Sequence, residues 1–234
     1  MPSITLHHGS SRVVAHPNLA QGRPRNDFGQ GFYTTRLRDL ACEWACQRGS
    51  DGFVNSYSLW LNGLNVLDLL DGTHNTLEWV ALLLKHRRFD LRLPTAALAR
   101  ATLVERFCPQ LSSYDVVVGY RADDSYFSYA RAFVENALPL SALEEALRLG
   151  ELGEQTVLVT GKAFSQLTLN GYETVPAERY YPSFLRRDNK ARSDFHSLMA
   201  RQKSAINDLY ILDILREEMA PDDPRLQSHL SCRR

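Results

Sequence analysis

Apolar residues follow two spacings along the chain, one typical of strands and the other typical of helices. Alternation over a short stretch predicts a strand with one buried face. Strands are predicted at residues 3–8, 53–61, 65–70, 114–120, 154–160 and 166–175, with a shorter extended piece at 13–17. Gly9, Ser10 and Ser11 are expected to end the first strand, and a turn is expected near Asn170-Gly171.

Helical spacing, with apolar residues three and four positions apart, covers much of the remaining chain. It predicts helices at 36–48, 77–88, 95–107 and 139–149, and one that runs through 126–133. The longest amphipathic pattern covers 188–219 and predicts a helix of unusual length, for which a break in the middle stays open. Residues 18–31 are polar, rich in glycine and interrupted by proline, which predicts a loop.

Length and composition exclude several classes of protein. With 234 residues, 44% of them hydrophobic and 23% charged, the chain is long enough for one large domain with a core, and disorder throughout is excluded. Lys plus Arg and Asp plus Glu both number 27, so no net field attracts nucleic acid or acidic membrane, although a local basic patch stays open. Without a secretion signal or a long apolar run, the expected location is the cytoplasm.

The four cysteines do not predict a disulfide or metal framework. Cys42 and Cys46 are four residues apart on a predicted helix, which would place both thiols on one face. Cys108 and Cys232 supply no second pair at a zinc-like spacing. Buried, reduced thiols are the preferred interpretation, and no metal is expected.

Two short segments carry most of the candidate chemistry. His8-Gly9-Ser10 follows an apolar strand, and Asp27-Phe28-Gly29-Gln30-Gly31-Phe32-Tyr33-Thr34-Thr35 forms a glycine-rich segment with an aromatic end. Together they supply an imidazole, exposed backbone amides and a flat ring, which are the groups that a nicotinamide pocket needs. Either segment alone is weak, and the ordered set is what predicts NAD binding.

These segments resemble the ADP-ribosyltransferase superfamily, in its His-Tyr-Glu branch with the diphtheria toxin catalytic domain and the poly(ADP-ribose) polymerases. More narrowly, they are similar to a bacterial family of unknown function placed in that superfamily, whose members are often coded in toxin-antitoxin-like loci. The matching segments are His8-Gly9-Ser10, 27–35, 41–45, 121–127 and 152–155, and the resemblance covers roughly residues 4–180.

The resemblance implies an α+β ADP-ribosyltransferase fold with a split, mostly antiparallel β core, surrounding helices and a long C-terminal helix. It divides the chain into a catalytic domain at 1–185, with a helical insertion at 72–110, a C-terminal amphipathic helix at 186–220 that packs on it, and a flexible tail at 221–234.

The resemblance also assigns roles to the site. His8 is expected to bind a ribose hydroxyl, the Gly9 backbone to hold the nicotinamide carboxamide, and Tyr33 to stack on the nicotinamide ring. The other residues expected to contact NAD are Ser10, Gly31, Phe32 and Thr34. NAD is a co-substrate in this interpretation, and no metal takes part.

The third mark of the branch departs from the usual pattern. Related enzymes begin a late strand with Glu, which orients the nicotinamide ribose, whereas this chain has Glu154-Gln155. Alternation sends these side chains to opposite faces, so only one of them faces the pocket. The residues that follow favour Gln155, and Glu154 stays the alternative. An amide orients a hydroxyl but carries no charge and takes no proton, which favours transfer of a single ADP-ribose.

Other polar clusters have a structural and a functional interpretation. Asp123 and Asp124 are expected to cap a helix, with metal binding or acceptor positioning as the alternative, and Arg121 is equally suited to an NAD phosphate or an ion pair. Two basic groups, Arg87 with Arg88 and Arg92, and Arg186 with Arg187, Lys190 and Arg192, are expected to be solvated faces. Nucleic-acid contact stays open for both groups, and Tyr180 and Tyr181 beside the second slightly favour recognition.

The sequence thus predicts an NAD-dependent mono-ADP-ribosyltransferase that modifies a macromolecular acceptor, protein or nucleic acid, and that acts as a toxin held by a cognate antitoxin. Two alternatives stay open. One is a catalytically weak module that binds NAD or ADP-ribose, and the other is an interaction protein unrelated to NAD.

Overall fold

The computed structural model describes residues 3–88, 90–91, 93–122, 124–149, 153–201 and 208–226. Within them are seven strands: β1 (Ser3–Ser10), β2 (Phe32–Thr34), β3 (Gly52–Trp60), β4 (Val66–Asp68), β5 (Val116–Tyr120), β6 (Glu154–Leu158) and β7 (Leu167–Val175). The helices are α1 (Arg38–Cys46), α2 (Thr76–His86), α3 (Pro94–Arg106), α4 (Asp124–Val134), α5 (Leu140–Leu149), α6 (Gly161–Ser165), α7 (Ala177–Arg201) and α8 (Ile211–Arg216).

The strands form two sheets, which confirms an α+β fold. One has the order β1-β3-β7 and is antiparallel, and the other has the order β2-β6-β5-β4, in which only the β4–β5 pair is parallel. A bridge between His7 and Thr35 connects β1 to the end of β2, with N–H···O distances of 2.8 and 2.9 Å. The two sheets therefore meet at the two segments that the sequence marks as chemically informative.

The main core lies between the four-stranded sheet and the helices of the middle of the chain. Leu77, Leu82 and Leu83 on α2 are fully buried there. Each such leucine contributes about 2 kcal/mol by leaving water. Helix α2 begins with a capping box in which Asn75 and Glu78 satisfy each other's backbone N–H groups. The packing of α2 fixes the position of its C-terminal end. Arg87, which directly follows that end, lies at the candidate site described below.

Three local predictions were wrong, and one short strand was not predicted. Strand β1 continues through Gly9 to Ser10, because β3 pairs with it along its whole length. Strand β2 begins directly after the predicted loop, and its three residues are too few for a periodicity test, so no strand was predicted there. Strand β7 has no turn near Asn170-Gly171 but is continuous, with a register shift opposite Ser56 and Tyr57. The residues 13–17 form no strand, and the backbone N–H of Val14 instead donates to Asn55.

The C-terminal part differs in its bounds from the helix predicted over 188–219, for which a break in the middle had stayed open. Helix α7 begins at Ala177, so the expected boundary at 185/186 falls inside it, and α8 is a separate short helix. Arg187 on α7 makes a bidentate ion pair with buried Glu43 on α1 at 2.9 and 3.0 Å, which ties α7 to the domain. Residues 202–207 lie outside the described residues.

The start of the predicted tail packs on the domain. Leu226 is 1% exposed in the main core, so residues 221–226 are held in place, while 227–234, with Cys232, lie outside the described residues. None of the described helices is both long and apolar enough to cross a membrane.

Candidate functional site

The bridge between the sheets brings His8 next to Tyr33. Nδ1 of His8 lies 2.7 Å from the backbone oxygen of Tyr33. A carbonyl oxygen only accepts hydrogen bonds, so Nδ1 carries the proton and donates it. Nε2 is therefore the acceptor of the neutral ring, and no residue in the described ranges hydrogen-bonds to it. The strand pairing thus fixes both the position and the tautomer of His8.

His8 and Tyr33 both line one open cleft beside this junction. The cleft has two adjoining parts, of about 380 and 460 Å³, that share His8, Gly9, Tyr33 and Trp44 among their lining residues. These volumes fall in the range of small-molecule sites. We call this space the cleft. Ser10, Gly31 and Phe32 line its first part, and Gln155 and Arg121 line its second.

The Tyr33 hydroxyl is held on both sides by the preceding loop. It accepts from the N–H of Phe28 at 3.0 Å and donates to the oxygen of Gly29 at 2.8 Å. Burial raises the pKa of Tyr33, and the nearby charge of Asp27 raises it further. The phenol is therefore neutral and its hydroxyl is engaged, so the aromatic ring is the part that it can offer to a ligand.

His8 is a neutral imidazole at neutral pH. Burial lowers the pKa of His8, and the hydrogen bond to Tyr33 opposes this only in part. The ring centroid of Phe32 lies 4.5 Å from that of His8 and contributes to its desolvation. Neutral His8 presents an unshared electron pair on Nε2, which suits it to accept a hydrogen bond from a hydroxyl.

Gln155 is buried at the second part of the cleft and is held by Asp27. Its Nε2 donates to Oδ2 of Asp27 at 3.0 Å and to the oxygen of Tyr120 at 3.3 Å. Both partners are acceptors, so the orientation of the amide is fixed. Within the described part of the chain Oε1 makes no hydrogen bond, which leaves an acceptor for a ligand in the cleft.

Asp27 is the functional candidate that sequence reasoning missed. It is 5% exposed, lines the cleft, and receives hydrogen bonds from the N–H of Ala122 at 2.9 Å, from Gln155 and from Arg87 at 3.2 Å. Burial raises the pKa of Asp27, and Arg87 followed by these N–H groups opposes that shift. Because all its partners are donors, the arrangement suits an ionised carboxylate.

Glu154 lies on the opposite face of β6. Its carboxylate is 3.6 Å from Nε of Arg36, and it does not line the cleft, whereas Gln155 is 2% exposed and lines it. The pairing of β6 with β5, in which Gln155 lies opposite Gly119 and Glu154 opposite Tyr120, sets this alternation. Of the two side chains, Gln155 is the one placed at the cleft.

The backbone of β1 at the cleft is held by a residue that the sequence did not indicate. Asn55 on β3 is fully buried and donates to the oxygen of His8 at 3.2 Å and to Oγ of Ser10 at 3.3 Å. Its Oδ1 accepts from the N–H of Val14 at 2.8 Å. A Cβ at Gly9 would overlap the carbonyl oxygen of Ala41, so glycine is needed there for β1 to pack on α1.

Thr34 lies apart from the other predicted site residues. It is fully buried, and its hydroxyl donates to the oxygen of Thr156 at 2.6 Å. The residues described along the cleft do not include it. We therefore place the Thr34 side chain in the pairing of β2 with β6.

Trp44 and Arg121 form a second pair at the cleft. The guanidinium carbon of Arg121 lies 5.3 Å from the centre of the Trp44 ring, a cation-π contact. Both residues line the second part of the cleft. The Trp44 N–H is buried without a hydrogen-bond partner in the described residues. This contact helps to hold the Arg121 guanidinium at the cleft.

The cysteines are free among the described residues, where Cys42 and Cys46 are buried and Cys108 is partly buried. No three His, Cys, Asp or Glu side chains are placed to hold a metal ion within those residues. Asp123 and Arg92 lie outside them.

A family described as "Protein of unknown function (DUF3990)" matches residues 4–169. The chain belongs to this family. The match covers β1, β2 and β6 and thus every residue placed at the cleft except those of α7. Neither the curated proteins nor the solved structures contain a match to the chain.

Proposed function

We propose that this DUF3990 chain is an NAD-dependent mono-ADP-ribosyltransferase of the ADP-ribosyltransferase superfamily, with its site in the cleft. The observation that carries the proposal is the convergence of a neutral imidazole, an aromatic ring and a buried amide on one space. His8 and Tyr33 come from β1 and β2 and are joined by a 2.7 Å hydrogen bond, and Gln155 comes from β6.

The groups at the cleft suit NAD in their chemistry. The Tyr33 ring is the stacking surface for nicotinamide. The backbone of Gly9 accepts a hydrogen bond from the carboxamide and donates one to it. Nε2 of His8 accepts from a ribose hydroxyl, and Arg121 meets a phosphate oxygen. No metal takes part in this scheme.

Gln155 and Asp27 would replace the carboxylate that related enzymes use. NAD supplies a ribose whose bond to nicotinamide breaks, with the electron pair leaving on nicotinamide and positive charge developing on the ribose. Oε1 of Gln155 accepts from the ribose hydroxyl, and the hydrogen bond from its Nε2 to Asp27 makes that oxygen more negative. The acceptor then bonds to the ribose carbon and gives up its proton to solvent water, and one ADP-ribose is transferred.

Release of nicotinamide tests the proposal. The purified chain is incubated with NAD and candidate acceptors, and nicotinamide is measured by chromatography. The proposal predicts release that Gln155→Ala reduces at least 100-fold, because removing one stabilising group of this kind typically costs a factor of about 100 to 1,000. No release above background with any acceptor class contradicts it.

One observation favours a second candidate function, a module that binds NAD or ADP-ribose with little turnover. An amide at Gln155 carries no formal charge and takes no proton. Such a module would give a thermal shift with NAD, since a ligand that binds the folded state raises its stability, but no nicotinamide release. Thermal shift and nicotinamide release, measured together, therefore distinguish an enzyme from a binding module.

We further propose that the protein acts in the cytoplasm as a toxin held by a cognate antitoxin, with a protein or nucleic-acid acceptor. Expression in a host cell with and without the neighbouring small open reading frame tests this. The proposal predicts loss of viability that co-expression relieves and that Gln155→Ala abolishes. Loss of viability that co-expression leaves unchanged contradicts the antitoxin.

A further inference from the structure

Positive charge is concentrated in a second concavity, next to the cleft. It has a volume of about 560 Å³ and is lined by Arg25, Lys85, His86, Arg87, Arg88, Asp90 and Arg100. We call it the basic basin. The chain as a whole has equal numbers of cationic and acidic residues, so this concentration is a local feature and not a consequence of net charge.

Most of these cations are not neutralised by neighbouring carboxylates. Among the described residues Arg25, Lys85 and Arg88 take part in no ion pair, and all three are exposed. The one acidic residue known to line the basin is Asp90. Three unpaired cations around one concavity repel each other, and an anion placed among them relieves that repulsion.

The other basic group of the sequence behaves in the opposite way. On α7, Arg187 pairs with Glu43, Lys190 with Asp194, and Arg192 with Asp188. Three of the four cations in that group are therefore paired within the fold, and the fourth, Arg186, donates to Oγ of Ser183 at 2.8 Å. The contrast selects the basic basin, and not the α7 group, as a surface for an anionic partner.

The basin also lies beside the proposed reaction site. Arg87 lines both the basin and the cleft, and its guanidinium contacts Asp27 at 3.2 Å. Arg23 and Arg25 are two residues apart on one loop and line the cleft and the basin, respectively. A polymer held in the basin would therefore run past the opening of the cleft.

We propose that the basic basin binds the phosphodiester backbone of a nucleic acid and presents that polymer to the cleft as the acceptor. This rests on the proposed function for the presentation, but not for the binding. Arginine dominates the basin, and its planar guanidinium matches phosphate oxygens with two parallel hydrogen bonds. The open shape of the basin suits an extended backbone better than a compact small molecule.

The test is fluorescence anisotropy with a labelled single-stranded 16-nucleotide DNA and the RNA of the same sequence. The basin variant is Arg25→Glu with Arg88→Glu, which alters two exposed side chains. Arg87 and Arg100 stay unchanged, because Arg87 pairs with Asp27 and Arg100 donates to the oxygen of Leu84 at 3.0 Å. The matched control is the same double charge reversal on α7, Arg186→Glu with Lys190→Glu.

The proposal predicts that the basin variant weakens oligonucleotide binding at least tenfold while the α7 control changes it less than threefold. Raising the salt concentration should weaken oligonucleotide binding by the unaltered chain. Each phosphate contact to a single strand contributes about 0.7 to the slope of log affinity against log salt, so this slope should be smaller for the basin variant. Equal thermal melting of the three proteins shows that folding is unchanged.

Several results would overturn the proposal. One is binding that the basin variant retains, and another is the absence of binding at 50 mM salt. Equally tight, basin-dependent binding of a labelled poly-glutamate peptide would indicate an acidic protein partner instead. Loss of the NAD thermal shift in the basin variant would assign the basin to the phosphates of NAD. Oligonucleotide binding is measured without NAD. Its result therefore tests the basic basin even if the proposed enzymatic function is wrong.

Discussion

Gln155 and Asp27 form a buried pair in which the amide of one donates to the carboxylate of the other at 3.0 Å. The residues are 128 positions apart in the chain, and β6 and the loop before β2 bring them together. Both residues line the cleft, so the pair sets a negative charge directly beside the amide whose oxygen would accept from a ligand.

Introducing a carboxylate at position 155 should therefore lower both the stability of the protein and its release of nicotinamide. In Gln155→Glu two buried carboxylates would lie within hydrogen-bond distance, with no N–H between them. We expect a loss of about 1–3 kcal/mol in the free energy of unfolding, and lower nicotinamide release. Urea unfolding measures the first quantity and chromatography the second.

The matched second variant reverses the pair. Gln155→Glu combined with Asp27→Asn restores one amide and one carboxylate, so we expect it to recover stability relative to Gln155→Glu alone. A double-mutant cycle with the single variants gives the coupling. Strictly additive effects of the two substitutions would contradict the pairing.

Tyr33 separates the role of its ring from that of its hydroxyl. Tyr33→Phe keeps the ring but removes the hydrogen bonds with Phe28 and Gly29, so we expect it to lose about 1–2 kcal/mol of stability and to keep NAD affinity within about threefold. Tyr33→Ala should lose NAD affinity at least tenfold. Calorimetric titration measures the affinity, and equal affinities of the Phe and Ala variants would rule out stacking.

Acidification should lower the stability of the folded protein through His8. Its folded pKa lies below the unfolded value of 6.5, so below pH 6.5 the unfolded state takes up a proton that the folded state resists. The stability contribution of His8 is therefore fully present above pH 6.5 and is lost as the pH falls through that value toward the folded pKa. His74 acts in the opposite sense, because hydrogen bonding to Glu78 raises its pKa.

The comparison of wild type with His8→Gln removes the other titrating groups from this measurement. Thermal melts from pH 7.5 to 5 should show the wild type losing stability on acidification more steeply than the variant. Parallel curves for the two proteins would show that His8 is not held neutral by the fold.

The strands with a clear alternating pattern could be predicted from the sequence, and with them the opposite faces of Glu154 and Gln155. Strand β2 could not, because its three residues stand in a glycine-rich segment and gain their order from pairing with β6. The start of α7 was missed because Pro182 lies inside the helix, where it removes one backbone hydrogen bond. The Glu43–Arg187 pair helps to hold that helix in place.

The candidate site divides in the same way. His8 and Tyr33 could be predicted because their residue types and order carry the signal. Asp27 and Asn55 could not, since each acts through contacts with distant segments that no local spacing indicates. Asp27 is the first residue of the glycine-rich segment 27–35, but only its hydrogen bond with Gln155 indicates a role for its carboxylate.

Calorimetric titration of NAD into His8→Ala, and into His7→Ala as the neighbouring histidine, tests directly whether His8 binds NAD. His7 donates to or accepts from Ser56 at 2.9 Å and does not line the cleft, so it is a matched control within the same strand. We expect the wild type and His7→Ala to bind NAD with affinities within threefold of each other, and His8→Ala to bind at least tenfold more weakly. Absence of NAD binding to the wild type, or equal affinities for the two variants, would contradict it.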